Sequence, residues 1–166
     1  MFNKKTRIHN VIFILGAIGV GFLTLLFLRL RTGNVIIKPP AISDNRIYNK
    51  SLIAGDFSIP VAIAGTPALQ EQGLSDTDSL PADSGMLFVF SKPDKVGFWM
   101  KDMRYPLDFV WIDSAMKIVA IDSDIAADTY PTIFYPPKPV LYVLEVNANF
   151  STAHHLSVGQ QLTLSR

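Results

Sequence analysis

A continuous apolar stretch separates the first thirty residues from everything downstream. The eighteen residues from Val11 to Leu28 carry no charge, and Thr24 is their only polar side chain. As a helix rising about 1.5 Å per residue, this run spans roughly 27 Å, close to the thickness of a bilayer's hydrocarbon core. Arg29 can snorkel to the interface and extend the usable span to Leu30. The pattern predicts a transmembrane helix over residues 11–30.

The flanks of this run indicate an anchor rather than a cleaved signal peptide. The run exceeds the usual apolar region of a signal peptide, and no small-x-small cleavage site follows it. Basic residues stand on both sides, so the positive-inside rule only slightly favours a cytoplasmic N-terminus. We therefore predict a cytoplasmic tail (1–10), a signal anchor (11–30), a linker (31–51) and an extracytoplasmic globular domain (52–166).

Downstream of the linker, the hydrophobic pattern changes to the alternation typical of strands. Phe57, Ile59, Val61 and Ile63 share one face with period two, while Pro60 favours an edge position. Thr66 is predicted to cap the start of a short helix, and Gly73 is predicted to end it. Strands are predicted at 57–64, 85–90, 96–101, 109–113, 117–121, 140–146 and 161–164, helices at 66–73 and 149–156, and a rigid proline-rich loop at 130–139. The fold class is α+β, mainly β: a compact domain of six or seven short strands with two short helices.

Charge and cysteine content exclude several classes of function. Residues 1–38 hold six Lys/Arg and no acid, whereas residues 39–166 hold nine Lys/Arg against fourteen Asp/Glu, a net charge of −5. An acidic body argues against sequence-independent nucleic-acid binding. The absence of cysteine excludes thiol nucleophiles, zinc–thiolate sites and disulfides. Asp122, Asp124 and Asp128 have a calcium-like spacing, but the glycine and the terminal Glu of a calcium-binding loop are missing. Neither a metal nor a cofactor is therefore predicted.

Polar residues at the ends of apolar strands form the candidate site. Trp99, Lys101 and Asp108 lie in the stretch that contains both tryptophans, and Glu145 interrupts an otherwise apolar strand. A carboxylate there must be paired, hydrogen-bonded or part of a site, because burying an unpaired charge is costly. The structural alternative pairs Glu145 with Lys101 or Arg104. It also has Asp108 accept hydrogen bonds from backbone N–H groups near Pro106.

The body also resembles a known family through several motifs in order. The motifs are Gly73-Leu74-Ser75, Ser79–Phe90, Phe98–Lys101, Pro106-Leu107-Asp108 and Tyr142–Ala148. They resemble the bacterial and archaeal family named domain of unknown function 192 (DUF192), from about Leu52 to the end of the chain. The resemblance implies a compact β-rich fold and frequent export, and it implies no established activity.

Three positions depart from that family's pattern. Gln72 and the pair Asp76-Thr77 stand where members often carry arginine, which puts any anion-binding role in doubt. A cysteine pair common near the proline-rich loop is missing. Asn149 replaces a glycine, and asparagine can still adopt a left-handed conformation.

Three functions remain open from the sequence. The first is a binding or accessory module for a small ligand or an envelope partner, with a pocket formed by Trp99, Lys101, Asp108, Glu145 and Asn147. The second is an envelope-acting hydrolase or lyase that uses Asp108 or Glu145 as general acid/base, with His154 as a further candidate. The third is a purely structural interaction domain, which an exposed apolar patch would indicate.

Overall fold

The computed structural model describes residues 48–165, and the predicted tail, anchor and most of the linker lie outside them. Within the described part, no helix is long and apolar enough to span a bilayer. Seven strands form one sheet in the order β5-β4-β6-β3-β2-β1-β7. The strands are β1 (Lys50–Ala54), β2 (Phe57–Ala64), β3 (Gly85–Asp94), β4 (Leu107–Ile112), β5 (Ile118–Ile125), β6 (Val140–Asn147) and β7 (Leu162–Leu164). The helices are α1 (Pro67–Gln72) and α2 (Phe150–Ala153).

The sheet curves into a half-barrel. All neighbouring strands are antiparallel except β2 and β3, which are parallel and joined through α1. At one end the edge strands β5 and β7 approach each other through an antiparallel bridge between Lys117 and Gln161. The Leu162 N–H donates to the Met116 carbonyl at 2.8 Å, and the Ile118 N–H donates to the Gln160 carbonyl at 3.0 Å.

Each face of the sheet has its own apolar core. The inner face carries Ile118 and Leu162 from the two edge strands together with Val110, Leu144 and Val146. The outer face carries Met86, Phe88, Phe109, Trp111 and Val143. Because the first half of β3 and the strands β4 and β6 are covered on both sides, their sequences are mostly apolar instead of alternating, with Asp108 and Glu145 as buried exceptions.

The predicted elements on the sheet are largely confirmed. The strand at 57–64, the hairpin of β4 and β5, the central strand β6 and the final strand β7 all form. The Thr66 hydroxyl caps α1 by accepting from the Leu69 N–H, and Gly73 ends that helix with a φ of 49°. Asn149 has a φ of 66°, which is the left-handed conformation.

Two local predictions are wrong. Residues 96–101 do not form a strand, because only Phe98 is bridged, to Phe134. Pro60 does not mark an edge strand, because β2 lies between β1 and β3. Pairing with β3 begins only at Val61, so the missing N–H of Pro60 falls just before the parallel ladder.

Candidate functional site

The outer face carries a cavity of about 510 Å³, here called the outer pocket. It lies between two segments that cross the outer face, the α1 region and the stretch from Val96 to Met103. Its lining consists of residues 70–75, Phe88, Phe90, Val96, Gly97, Phe98, Trp99, Met103 and Glu145. A concave, mainly apolar space with a few polar groups is the usual form of a small-molecule site.

One wall of the outer pocket is α1, and Gln70 fastens it to the sheet. The Gln70 side-chain amide donates to the Val89 carbonyl at 2.8 Å and to the Ala64 carbonyl at 3.3 Å. The Thr66 cap fixes where the helix begins. The helix has no buried residue of its own, so its position depends on these polar contacts as well as on the loop that follows.

The opposite wall is built on Phe98, which four aromatic rings surround. Its ring meets those of Phe88, Phe90, Phe109 and Trp111 edge to face, with centroid distances of 4.8–6.4 Å. This geometry is the favoured one for aromatic pairs and fixes the position of the segment. Trp99 therefore points away from the core and stands at the mouth of the pocket, 46% exposed.

Glu145 supplies the buried polar group of the outer pocket. It is 5% exposed and lies on β6 opposite Met86 of β3 and Phe109 of β4, which places it on the outer face. Glu71 on α1 is the second acid in the lining and is exposed. Among the described residues that line this pocket there is no Lys, Arg or His. Glu145 and Glu71 are therefore the ionisable side chains among the described residues of the lining.

Asp108 lies on the other face of the sheet. It pairs across the strands with Val146, the neighbour of Glu145, so its side chain points to the inner face. The side chain is fully buried and accepts three backbone N–H groups, from Asp124 at 2.9 Å, Asn149 at 3.0 Å and Ser151 at 2.9 Å. Asp108 therefore joins β5 and the start of α2 to β4. Asp108 therefore binds backbone N–H groups, as the structural alternative predicted. These groups belong to Asp124, Asn149 and Ser151 and not to residues near Pro106.

Asn147 and His154 line a second, shallower cavity of about 490 Å³ together with Leu80, Ala82 and the start of α2. The Asn147 amide donates to the carbonyls of Leu80 and Pro81 at 3.1 and 3.3 Å, which ties β6 to the loop before β3. The His154 ring stacks on Phe57 at 4.0 Å, and its Nε2 lies 3.9 Å from an Asp83 carboxylate oxygen. Neither residue lines the outer pocket.

Lys101 and Arg104 lie outside the lining of both cavities. Lys101 is exposed, and its carbonyl accepts the Ser75 hydroxyl at 2.9 Å. Arg104 pairs with Asp78 at 2.9 Å and with Asp76 at 3.7 Å. Asp76 is one of the departures from the family pattern, and the structure places it in this ion pair.

The structure therefore divides the predicted pocket. It brings Trp99 and Glu145 together, places Asn147 and His154 at the other cavity, and holds Asp108 on the opposite face. Sequence reasoning missed Phe88, Phe90, Phe98 and Met103, which line the outer pocket but have the pattern of ordinary core residues. No signal in the strand pattern separates an aromatic side chain that faces a cavity from one that faces the core.

The described residues contain no group of three or more His, Asp or Glu side chains arranged to hold a metal ion. Two residues of the calcium-like spacing make other contacts. Asp122 accepts the Trp111 indole N–H at 2.7 Å, and the backbone N–H of Asp124 donates to Asp108.

Comparison with known proteins establishes the family. The family model named DUF192, described as an uncharacterized ACR, matches residues 51–164, so the chain belongs to this family. No curated protein matches.

Two crystal structures show the same fold. One, from Sinorhizobium meliloti 1021, is described as a candidate transcription regulator; it is 33% identical with a TM-score of 0.63, over 69% of this chain and 90% of that one. The other, from Novosphingobium aromaticivorans DSM 12444, is described as a protein of unknown function. It is 24% identical with a TM-score of 0.63, over 69% of this chain and 82% of that one.

Proposed function

We propose that this protein is a membrane-anchored, extracytoplasmic binding module whose outer pocket takes a small ligand with an apolar body and a cationic or hydrogen-bond-donating group. One observation carries the proposal: a cavity of about 510 Å³ is walled by aromatic side chains and has the buried Glu145 carboxylate in its lining. The apolar run from Val11 to Leu28 and the export that the family resemblance implies support the anchor and the location.

The chemistry of the lining supports this ligand class. Phe88, Phe90 and Trp99 are aromatic residues of the lining, and a cation above the face of such a ring is attracted by about 0.5–2 kcal/mol. Glu145 and Glu71 are the two acids among the described residues of the lining, which include no Lys, Arg or His. An organic ammonium or guanidinium ion with an aromatic or branched body would satisfy both features.

The geometry favours binding over acid/base catalysis. A catalytic pair needs two groups within hydrogen-bond reach or one water of each other. Asp108 and Glu145 lie on opposite faces of the sheet, and the Asp108 carboxylate already accepts three backbone N–H groups. His154 lies at the second cavity.

The Sinorhizobium protein's description suggests nucleic-acid binding as an alternative for this chain. The acidic body, with a net charge of −5 from nine Lys/Arg and fourteen Asp/Glu over residues 39–166, opposes binding to a phosphate backbone. We therefore propose no regulatory role through DNA.

The test compares three probes that share a benzyl group: benzylamine, benzyl alcohol and benzoate. The full-length chain is held in phospholipid bicelles, and ligand binding is followed by tryptophan emission and by thermal unfolding. We expect benzylamine to bind best and benzoate worst. A ligand at about 100 times its Kd adds roughly 2.7 kcal/mol of stability, a shift of several degrees. Equal binding of all three probes, or no binding, would contradict the proposal.

The Glu145→Gln variant removes the buried charge and keeps the side-chain shape. We expect it to weaken benzylamine binding about tenfold or more, equivalent to about 1.4 kcal/mol, and to leave benzyl alcohol binding nearly unchanged. Asp56→Asn, at an exposed residue that does not line the pocket, is the matched control. Retained emission from the buried Trp111 shows that each variant is folded.

A further inference from the structure

A second feature of the outer face is an exposed apolar ridge, formed by Trp99, Ile133 and Tyr135. These side chains are 46%, 43% and 58% exposed. The ridge lies where the segment after β3 meets the proline-rich loop. Exposed apolar residues scattered singly are ordinary, but a contiguous group marks an interaction surface.

Backbone pairing places the three side chains on one surface. Phe98 and Phe134 exchange two backbone hydrogen bonds, at 2.9 and 2.8 Å, as an antiparallel pair. Both phenylalanines belong to the outer-face core, so their sequence neighbours point outward. Trp99 then stands opposite Ile133, and Tyr135 stands opposite Gly97.

Gly97 makes the ridge continuous. A Cβ at this position would lie 2.7 Å from the Ile133 Cγ2 and 2.8 Å from the Tyr135 Cε1. The two side chains therefore lie across the bare glycine backbone and meet there. Their support is rigid, because the Phe98 and Phe134 rings pack at 5.6 and 5.8 Å against Phe109 of β4.

We propose that this ridge inserts into the lipid–water interface of the membrane that holds the anchor. Tryptophan and tyrosine are the side chains that favour this interface, because each combines a large apolar ring with a polar atom. Insertion of such a surface reaches about 5–10 Å into the headgroup and acyl boundary.

The length of the chain outside the described residues supports a lipid partner. Seventeen residues separate Leu30, the end of the predicted anchor, from Tyr48. Fully extended, they span at most about 60 Å, whereas a domain of this size has a radius of gyration of about 13 Å. The tether keeps the ridge within reach of one bilayer at all times, so a weak surface suffices to hold it there.

Local charge indicates that apolar insertion, and not attraction to anionic lipid, provides the affinity. Lys95 and Lys101 flank Trp99 in sequence, and Asp94 and Asp102 adjoin them. These four charges cancel. We therefore expect the ridge to bind zwitterionic bilayers as well as anionic ones. This proposal rests on the anchor of the proposed function and does not depend on the outer pocket's ligand.

The two tryptophans make a direct test possible. Trp111 is fully buried and Trp99 is on the ridge, and the predicted anchor contains no tryptophan. The full-length chain is reconstituted into phosphatidylcholine vesicles whose acyl chains carry bromine either near the headgroup or near the chain end. We expect headgroup-proximal bromine to reduce Trp99 emission about twofold and chain-end bromine to have less effect. Trp99→Phe should abolish the quenching.

Variants of the ridge outside the pocket separate membrane insertion from lipid bound in the pocket. Ile133→Ser combined with Tyr135→Ser should reduce the quenching, because neither residue lines the pocket. Val158→Ser, at an apolar residue 66% exposed elsewhere, is the matched control and should leave quenching unchanged. Quenching that persists in the double variant would assign it to lipid in the outer pocket and overturn the ridge proposal.

Flotation of the vesicles distinguishes failure of the ridge from failure of the anchor. Flotation of the chain without Trp99 quenching would refute the ridge and leave the anchor standing. Failure of the chain to float with vesicles would refute both. Emission from Trp111 confirms the fold in every variant.

Discussion

Asp108 and Glu145 are two buried carboxylates in neighbouring strands with different surroundings. Asp108 accepts three backbone N–H groups from β5 and the start of α2 on the inner face. Glu145, beside Asp108's cross-strand partner Val146, faces an aromatic cavity on the outer face. A shift of one position along a strand turns a side chain to the opposite face. Burial of an acid therefore does not identify its role, which depends on the face that its side chain occupies.

The largest expected effect separates these two roles directly. Asp108→Asn puts an amide donor against one of the backbone N–H groups that the carboxylate accepts, and we expect unfolding free energy to fall by about 3 kcal/mol. Urea unfolding of the full-length chain measures this loss of unfolding free energy. A loss below about 1 kcal/mol would contradict a structural role for Asp108. Glu145→Gln should instead show its main effect on ligand binding.

The second prediction concerns the pocket wall. Gln70→Ala removes both hydrogen bonds that join α1 to the carbonyls of Val89 and Ala64. We expect a loss of about 1–2 kcal/mol in unfolding free energy together with weaker benzylamine binding. Leu69→Ala, on the same short helix, 45% exposed and outside the pocket lining, is the matched control. Unchanged binding in Gln70→Ala would show that α1 does not shape the site.

The third prediction tests how α1 begins. Thr66→Ala removes the hydroxyl that accepts the Leu69 N–H at 3.3 Å, and we expect it to cost about 1 kcal/mol. Thr66→Ser keeps the hydroxyl and should retain most of the stability. Thermal unfolding of both variants measures the difference. Equal loss in both would show that the methyl group, and not the cap, matters.

The smallest effect extends the comparison to a third carboxylate, Asp113 in the turn between β4 and β5. Burial by itself raises the pKa of Asp113. Hydrogen bonds from the backbone N–H groups of Lys117 and Ala115 and from the Lys138 ammonium outweigh it and hold this pKa below 3.8. Because the pKa of Asp113 is lower in the folded chain than in the unfolded chain, the contribution of Asp113 to folding stability is complete well above pH 3.8. It is lost as the pH falls through the folded value.

Measurement of unfolding free energy against pH in the Asp113→Asn variant checks this contribution. The difference between the variant and the wild type should be constant at neutral pH and shrink below about pH 4. Asp56→Asn, at an exposed acid in the turn between β1 and β2, is the matched control. A difference in unfolding free energy that grows as the pH falls would contradict a lowered pKa for Asp113.

Several features could be predicted from the sequence because they depend on neighbours in the chain. The alternation of Phe57, Ile59, Val61 and Ile63 is a property of one strand, and the structure places all four in or against the inner core. The Thr66 cap and the left-handed Asn149 are likewise local. The motif order identified the family that the comparison confirms. The anchor over residues 11–30 stays a prediction.

The candidate site was only partly predictable. Glu145 was singled out because a charge interrupts an apolar strand, and Trp99 because it adjoins charged residues. Phe88, Phe90 and Gln70 carry no such signal. Residues 96–101 resemble a strand in sequence, yet Phe98 is held by rings from two strands of the sheet, β3 and β4, and by Phe134 from a distant loop. Contacts between segments far apart in sequence outweigh local β-propensity there.

By itself, the sequence determined most of the strands, the cap of α1, the acidic body, the absence of thiol chemistry and the family, since each depends on composition or on residues near one another in the chain. Only the tertiary structure decided that Asp108 binds backbone while Glu145 faces a cavity, and that Asn147 and His154 belong elsewhere. The physical reason is that strand order, register and the segments crossing each face decide which side chains meet, and long-range packing sets all three.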